Sequence, residues 1–382
     1  MPALEDFIYL DHNATTPLDP GAVEAMVRVM EDFGNPSSPY ILGVRAREAL
    51  ESARGEVARL LGCERAEVVF TSGGSEANNM VLKGAVDLRN PAECHLITSS
   101  IEHPAILNPA LFLMELGVEV TFLGVDRFGR VDPGDIRKAL RPHTRLISIM
   151  LANNETGTLQ PIREISLIAR EHGVPLHTDA AQAVGKIPVD VRNLGVDFLS
   201  VAGHKLYGPK GVGALFVSGG RTLTPLVHGA NQEGGRRAGT ENTILAAGLG
   251  AACREARKRL DRDFSLMKAM RDRLQSMLFS TLEDLVLNGH PEERLPNTLN
   301  MSVPGLEGGR ILEGIPGLCA STGAACHDRS VVLSHVLSAM GVSLEVGMGA
   351  LRLTTGRSNT MGQMERAAQM ISRRVKEMRN EA

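Results

Sequence analysis

Between residues 68 and 217 short apolar runs alternate with amphipathic ones, and few folds accept that order. Residues 68–70, 95–99, 118–125, 145–151, 175–178, 196–201 and 212–217 read as strands. Residues 76–88, 105–116, 132–140 and 161–172 read as helices, with Asp132 capping the third and Pro161 in the first turn of the fourth. This alternation predicts an α/β domain with a mostly parallel sheet. Ahead of it lie a short strand at 8–10 and a helix at 21–31 with Val23, Met26, Val27 and Met30 on one face. A long amphipathic helix follows at 41–61, stopped by Gly62. The character changes after Gly239. A helical stretch at 241–279 precedes strand-like pieces at 285–287, 298–303 and 351–354 and a last helix at 361–378. We expect residues 1–255 to form a large domain and 256–382 a smaller α+β domain, with residues 1–15 able to join the smaller one.

Composition narrows the function. A net charge of -3 gives no reason to expect nucleic acid or a membrane as partner. The chain has no tryptophan, so aromatic platforms for single strands are not expected. Its N-terminal residues carry no basic region followed by an apolar stretch. Five cysteines, an odd number with no Cys-x-x-Cys pair, suggest neither a disulfide framework nor a zinc site. A reducing, cytoplasmic setting fits best.

In a parallel sheet, ligands bind beyond the carboxyl ends of the strands. Thr71-Ser72-Gly73-Gly74-Ser75-Glu76 follows the first strand of the α/β region and opens a helix, where free N–H groups favour a phosphate. An ordinary glycine-rich helix start reads the same way. Glu102-His103-Pro104 follows the next strand, and His103 could stack on a ring and shuttle protons or simply cap a helix. Later strand ends bring Asn153-Asn154-Glu155-Thr156-Gly157, then Asp179 and Gln182, then His204 and Lys205. A lysine at the end of a buried strand is costly unless it has a partner or a task, and Schiff-base chemistry is one such task. A phosphate cradle, a carboxylate, a histidine and such a lysine at neighbouring strand ends are the parts of a pyridoxal phosphate site. Far downstream, Cys326 lies among small and polar residues in Gly323-Ala324-Ala325-Cys326-His327-Asp328, the setting of an accessible thiol or of an incidental surface cysteine.

Taken together the motifs resemble the cysteine desulfurase family of NifS/IscS type, pyridoxal phosphate enzymes of fold type I. The resemblance runs from Tyr9 to about Arg357. It rests on Ala14-Thr15-Thr16-Pro17, Gly34-Asn35-Pro36-Ser37-Ser38, Glu102-His103, Asn153-Asn154-Glu155-Thr156-Gly157, His177-Thr178-Asp179-Ala180-Ala181-Gln182, Gly203-His204-Lys205 through Gly211, Arg236-Arg237-Ala238-Gly239-Thr240, and Gly323-Ala324-Ala325-Cys326. It implies that Lys205 carries the cofactor and moves the Cα proton. Asp179 would pair with the ring nitrogen, Gln182 with the ring hydroxyl, and His103 would stack on the ring. Gly74, Ser75 and His204 would bind the phosphate, joined by Thr240 from a second subunit of a homodimer. Asn154 and Arg352 would fix the substrate carboxylate. Cys326 would take sulfur from L-cysteine, leaving L-alanine, and pass it to an acceptor such as an iron–sulfur scaffold protein.

Two departures stand out. Family members usually have a serine three residues before the lysine, where this chain has Ala202. Ala324-Ala325-Cys326-His327 and Pro36-Ser37-Ser38-Pro39-Tyr40 look closer to selenocysteine lyases, whereas the distance from Cys326 to Ser334-His335 fits the desulfurases. Selenocysteine lyase is therefore the second expectation, ahead of an aminotransferase or a scaffold that keeps the fold without the chemistry.

Overall fold

A computed structural model describes residues 7–322 and 333–381. Its strands, in chain order, are β1 (Ile8–Tyr9), β2 (Val68–Thr71), β3 (His95–Ser99), β4 (Glu119–Leu123), β5 (Thr144–Ser148), β6 (Leu176–Asp179), β7 (Phe198–Ala202), β8 (Gly213–Val217), β9 (Val286–Asn288), β10 (Thr298–Ser302), β11 (Leu318–Cys319) and β12 (Ala350–Thr354). The helices are α1 (Pro20–Val29), α2 (Ile41–Leu61), α3 (Gly74–Gly84), α4 (Pro104–Glu115), α5 (Pro133–Ala139), α6 (Ile162–Glu171), α7 (Val191–Leu194), α8 (Thr243–Thr281), α9 (Gly308–Glu313), α10 (His335–Ala339), α11 (Leu344–Gly347) and α12 (Met361–Glu381).

Seven strands form the main sheet in the order β2-β8-β7-β6-β5-β3-β4. The run from β7 to β4 is parallel, and β8 pairs antiparallel with both β7 and β2. Alternate residues of each strand enter opposite faces of the core around this sheet, as a period of two requires. Val69, Leu96, Leu146, Phe198 and Leu215 pack under α3 and α4 with Met80, Ile106 and Leu113. Val68, Ile97, Ile147, Leu199 and Phe216 pack on the other face against Val57, Ile165 and Leu249 of α2, α6 and α8. Covering on both faces explains why these strands read as continuous apolar runs. Burying a side chain the size of Phe198 contributes about 1.5–3 kcal/mol relative to leaving it in water.

A second core gathers Ile8 and Leu10 with Met270, Leu274, Leu299, Met301, Leu351, Leu353 and Ile371. It covers the antiparallel sheet β12-β10-β9 and the parallel pair β1-β11. The 39-residue α8 serves both cores, with Ala246 to Ala256 in the first and Met267 to Leu278 in the second. Among the described residues, no helix is long and apolar enough to cross a membrane.

One helix departs from its sequence pattern. Val23, Val27 and Met30 of the expected apolar face of the first helix are exposed. The helix instead rests on α8 through Ala22, Ala25 and Met26, and a Cβ on Gly248 would lie 2.8 Å from the Met26 side chain. Phe33, Tyr40 and Ile41 add to the exposed apolar surface nearby in sequence.

Candidate active site

A cavity of about 420 Å³ opens beyond the carboxyl ends of β6 and β7, a size suited to a small organic ligand. Gly74, Ser75, His103, Asn154, Asp179, Gln182, His204, Lys205 and Arg352 all line it. Thr240 does not line it and is exposed on the surface of its own chain. Cys326 lies outside the described residues.

Lys205 ends a single helical turn, Gly203–Lys205, that directly follows β7. Two residues on, Tyr207 adopts φ 66, a left-handed conformation costly for a side chain of this size. It is held there from three sides. Its N–H donates to Thr16 Oγ1 at 2.7 Å, its hydroxyl accepts the Arg357 N–H at 2.8 Å, and the Arg357 guanidinium stacks 3.7 Å from its ring centre. The Lys205 amine donates to the carbonyl oxygens of Asn13 and Ala14 at 2.5 and 2.7 Å. Burial lowers its pKa from the usual 10.5 to about 8, helped by the Arg352 charge and opposed by Asp11 and Asp179.

Asp179 is the last residue of β6, and its carboxylate is held from both oxygens. Asn78 Nδ2 donates to Oδ2 at 2.7 Å and the Ala181 N–H donates to Oδ1 at 2.9 Å. The carboxylate is thereby fixed in place as a hydrogen-bond acceptor. His204 stands beside Lys205 with Nδ1 3.2 Å from Thr15 Oγ1, and burial together with the Lys205 charge lowers its pKa to about 4, so its ring is neutral at pH 7. His103 caps α4: its Nδ1 accepts the Ala105 N–H at 3.0 Å, which leaves Nε2 to carry the ring proton.

The phosphate-type cradle starts two residues earlier than the sequence pattern placed the helix. Gly73 has φ 154, which side-chain-bearing residues rarely adopt, and so α3 begins at Gly74. Glu76 braces this turn by accepting the Ser72 N–H at 2.7 Å and pairing with Arg237 at 2.8 Å. Ala202 lies against the cradle, since a Cβ on Gly74 would stand 3.3 Å from its own. Opposite, Arg352 of β12 pairs with Asp11 at 2.9 Å and donates to the Asn154 carbonyl at 3.2 Å.

Three participants escaped the sequence reading. Asn78 orients Asp179. Asn13 gives its backbone oxygen to both Lys205 and Gln182, and its side chain bonds Asn154, Asn297, Thr298 and Lys186. Asp11 neutralises Arg352. Asp11 and Asn13 lie in a stretch that carries the family resemblance, but by itself the polar turn after the first strand reads as an ordinary loop and assigns them no role.

The cavity suits pyridoxal phosphate. It offers backbone donors at the start of α3, a fixed carboxylate and an amine near neutrality. Asn78 Oδ1 and Asn154 Oδ1 are buried with no hydrogen-bond partner among the described residues, so acceptor capacity also waits there for a ligand.

The sequence matches the class-V aminotransferase family over residues 8–366. The cysteine desulfurase IscS of Dictyoglomus turgidum is 45% identical over 97% of this chain and 95% of its own length. Among solved structures, a NifS-like protein superposes with a TM-score of 0.90 at 34% identity, covering 96% of this chain and 98% of that one. A structure described as SspA in complex with cysteine superposes with a TM-score of 0.81 at 35% identity, covering 92% and 99%. The chain belongs to the class-V aminotransferases, pyridoxal phosphate enzymes of fold type I, and within them to the cysteine desulfurases of NifS/IscS type.

Proposed function

We propose that this protein converts L-cysteine to L-alanine and takes the sulfur onto Cys326 as a persulfide for delivery to an acceptor protein. The observation that carries the reading is the Lys205 amine, held near neutrality and sharing one cavity with Asp179, His103 and Arg352. Bound pyridoxal phosphate supplies a sink for the electron pair released at the substrate Cα. Gly74, Ser75 and His204 hold its phosphate, Asp179 the proton at its ring nitrogen, and Gln182 its hydroxyl. Arg352 and Asn154 receive the substrate carboxylate, for which Arg352 exchanges its contact with Asp11. Lys205 holds and returns the Cα proton. The Cys326 thiolate attacks the substrate sulfur: an S–S bond forms, the Cβ–S bond breaks, and the carbon keeps the electron pair and takes up a proton as the methyl group of alanine. SspA, the structural relative described with cysteine, supports this choice of substrate. Incubation with L-cysteine followed by mass spectrometry tests it. Alanine in solution and one extra sulfur on Cys326 are expected, and release of pyruvate without that sulfur refutes it. Comparing kcat/KM for L-cysteine and L-selenocysteine on the same preparation separates the desulfurase from the lyase.

A homodimer fits this reading, because it would cover the apolar surface of Val23, Val27 and Phe33 and let Thr240 reach a partner's phosphate site. The same reading places the enzyme in the cytoplasm, with an iron–sulfur scaffold as one acceptor. We keep the proposed division at 255/256, within α8, immediately before Ala256, the last α8 side chain of the first core.

Two outcomes follow for the cofactor. Ala202→Ser restores a hydroxyl beside the cradle, and one hydrogen bond to a charged group is worth roughly 1.5 kcal/mol, so affinity for pyridoxal phosphate should rise about tenfold in equilibrium dialysis. An unchanged affinity means that the hydroxyl is not needed here. The second concerns pH. Only the free amine of Lys205 reacts with a carbonyl, and its pKa is lowered to about 8. Cofactor uptake by the cofactor-free protein should speed up about tenfold per pH unit below pH 8 and level off above it. A rate still climbing past pH 9 would show a lysine near its ordinary value.

A further inference from the structure

Lys186 is fully buried, follows Gln182 by one helical turn of sequence, and has no role in the chemistry above. Its amine donates to Gln182 Oε1 at 2.7 Å and to Asn13 Oδ1 at 3.2 Å. These acceptors belong to the two residues whose other atoms meet at one point. Gln182 Nε2 donates to the Asn13 carbonyl at 2.9 Å, and the same oxygen accepts the Lys205 amine at 2.5 Å.

The Asn13 carbonyl only accepts, so it fixes Nε2 of Gln182 toward itself and leaves Oε1 facing away. Lys186 satisfies that oxygen. With Oε1 engaged, Gln182 has one further N–H to offer to a ligand in the cavity it lines. We propose that Lys186 is a positioning residue of the active site, fixing Gln182 as a hydrogen-bond donor toward the cofactor and holding the Asn13 segment against Lys205. The proposal rests on the cavity being the pyridoxal phosphate site.

The donor count says how it acts. A neutral amine has two N–H bonds, and the described residues offer it two acceptors. An ammonium would carry a third N–H without a described partner. The charged groups that bear on it are Lys205 and Arg352, both positive, and His12 and His204 lie close enough to be affected by it. Burial first, then those two like charges, push its pKa far below that of an ordinary lysine. A neutral lysine gives two firm hydrogen bonds without adding a positive charge beside the amine that must stay free. Methionine has nearly the same length but no donor. In its place Oε1 becomes a buried acceptor without a donor, and the Gln182 amide is free to turn so that this oxygen, in place of an N–H, faces the cofactor hydroxyl.

A double-mutant cycle of Lys186→Met, Gln182→Met and both together tests this on two readouts. In the wild-type background Lys186→Met should weaken pyridoxal phosphate binding about tenfold and raise the pH midpoint of the visible band of the loaded enzyme by about one unit. In the Gln182→Met background it should change either by less than about twofold or 0.3 pH unit. Equal effects in both backgrounds, or none in the first, overturn the proposal. The cofactor-free protein supplies an independent arm. The pH midpoint of Lys205 acylation by acetic anhydride, read by mass spectrometry, should stay within about 0.3 pH unit of wild type in Lys186→Met. A rise of about a unit or more would reveal a charged Lys186 and overturn the proposal. A wild-type protein that takes up no pyridoxal phosphate would instead refute the reading of the cavity, and the acylation arm would still judge Lys186. Should Lys186→Met fail to fold, Lys186→Gln, whose NH2 donors sit one bond nearer the backbone, runs through the same cycle with the same signs of effect expected.

Discussion

Replacing Lys205 by alanine is expected to lower kcat for alanine formation from L-cysteine by about 10⁴-fold. Positioned proton transfer alone contributes roughly 10²–10⁴, and Lys205 also anchors the cofactor. The substitution leaves the fold intact, because the Lys205 amine bonds only the Asn13 and Ala14 carbonyls, and the Asn13 carbonyl keeps its hydrogen bond from Gln182. Circular dichroism should therefore match the wild type while the visible band of the bound cofactor is lost. A small primary amine in the buffer restores part of the activity if the defect is chemical, since it can enter the cavity and carry the proton. A variant that keeps more than about a tenth of wild-type activity would remove Lys205 from the mechanism and with it the assignment of the site.

Cys326→Ala has the second large effect, and its pattern differs. Cofactor binding should be unchanged, because the residues that line the cavity are untouched. Alanine formation from L-cysteine should fall by about 10³-fold, and no persulfide should form. The reason is the acceptor: without a thiolate the substrate sulfur has no nucleophile to receive it, and carbon–sulfur cleavage stalls. Selenium leaves more readily, since a selenol is more acidic than a thiol. A Cys326→Ala protein that stays fully active on L-selenocysteine but not on L-cysteine would be a selenocysteine lyase. One that stays active on both would show that neither reaction runs through Cys326.

The main sheet and the strand-end residues were legible because they obey local rules. Runs buried on two faces give continuous apolar sequence, and side chains just past a parallel strand must face the ligand crevice. Asp179, His103 and Lys205 share this logic, and all three line one cavity. The helix at Pro20–Val29 was legible as a helix, but its periodicity does not say what covers its apolar face, since the pattern of Val23, Val27 and Met30 is the same whichever surface lies against it. Asn13 and Lys186 were missed for another reason. Their importance comes from partners far away in sequence, and no window around Asp11-His12-Asn13 or Gly185-Lys186 reveals them. Sequence periodicity reports burial, whereas a buried polar network is visible only once distant segments are together.

Asn13 also sets a clock. Its backbone N–H donates to Thr354 Oγ1, a partner 341 residues later in the chain. A ribosome makes Asn13 341 residues before Thr354. Until β12 emerges, the loop that receives Lys205 lacks this anchor, and the entropic cost of so distant a contact is met late. The large sheet can assemble during synthesis, but the pocket becomes competent only at its end. A chain stalled before β12 would therefore expose a reactive lysine in a pocket that still lacks Arg352. Placing Thr354 and Arg352 of one strand at the active site ties the complete pocket to a late-made part of the chain.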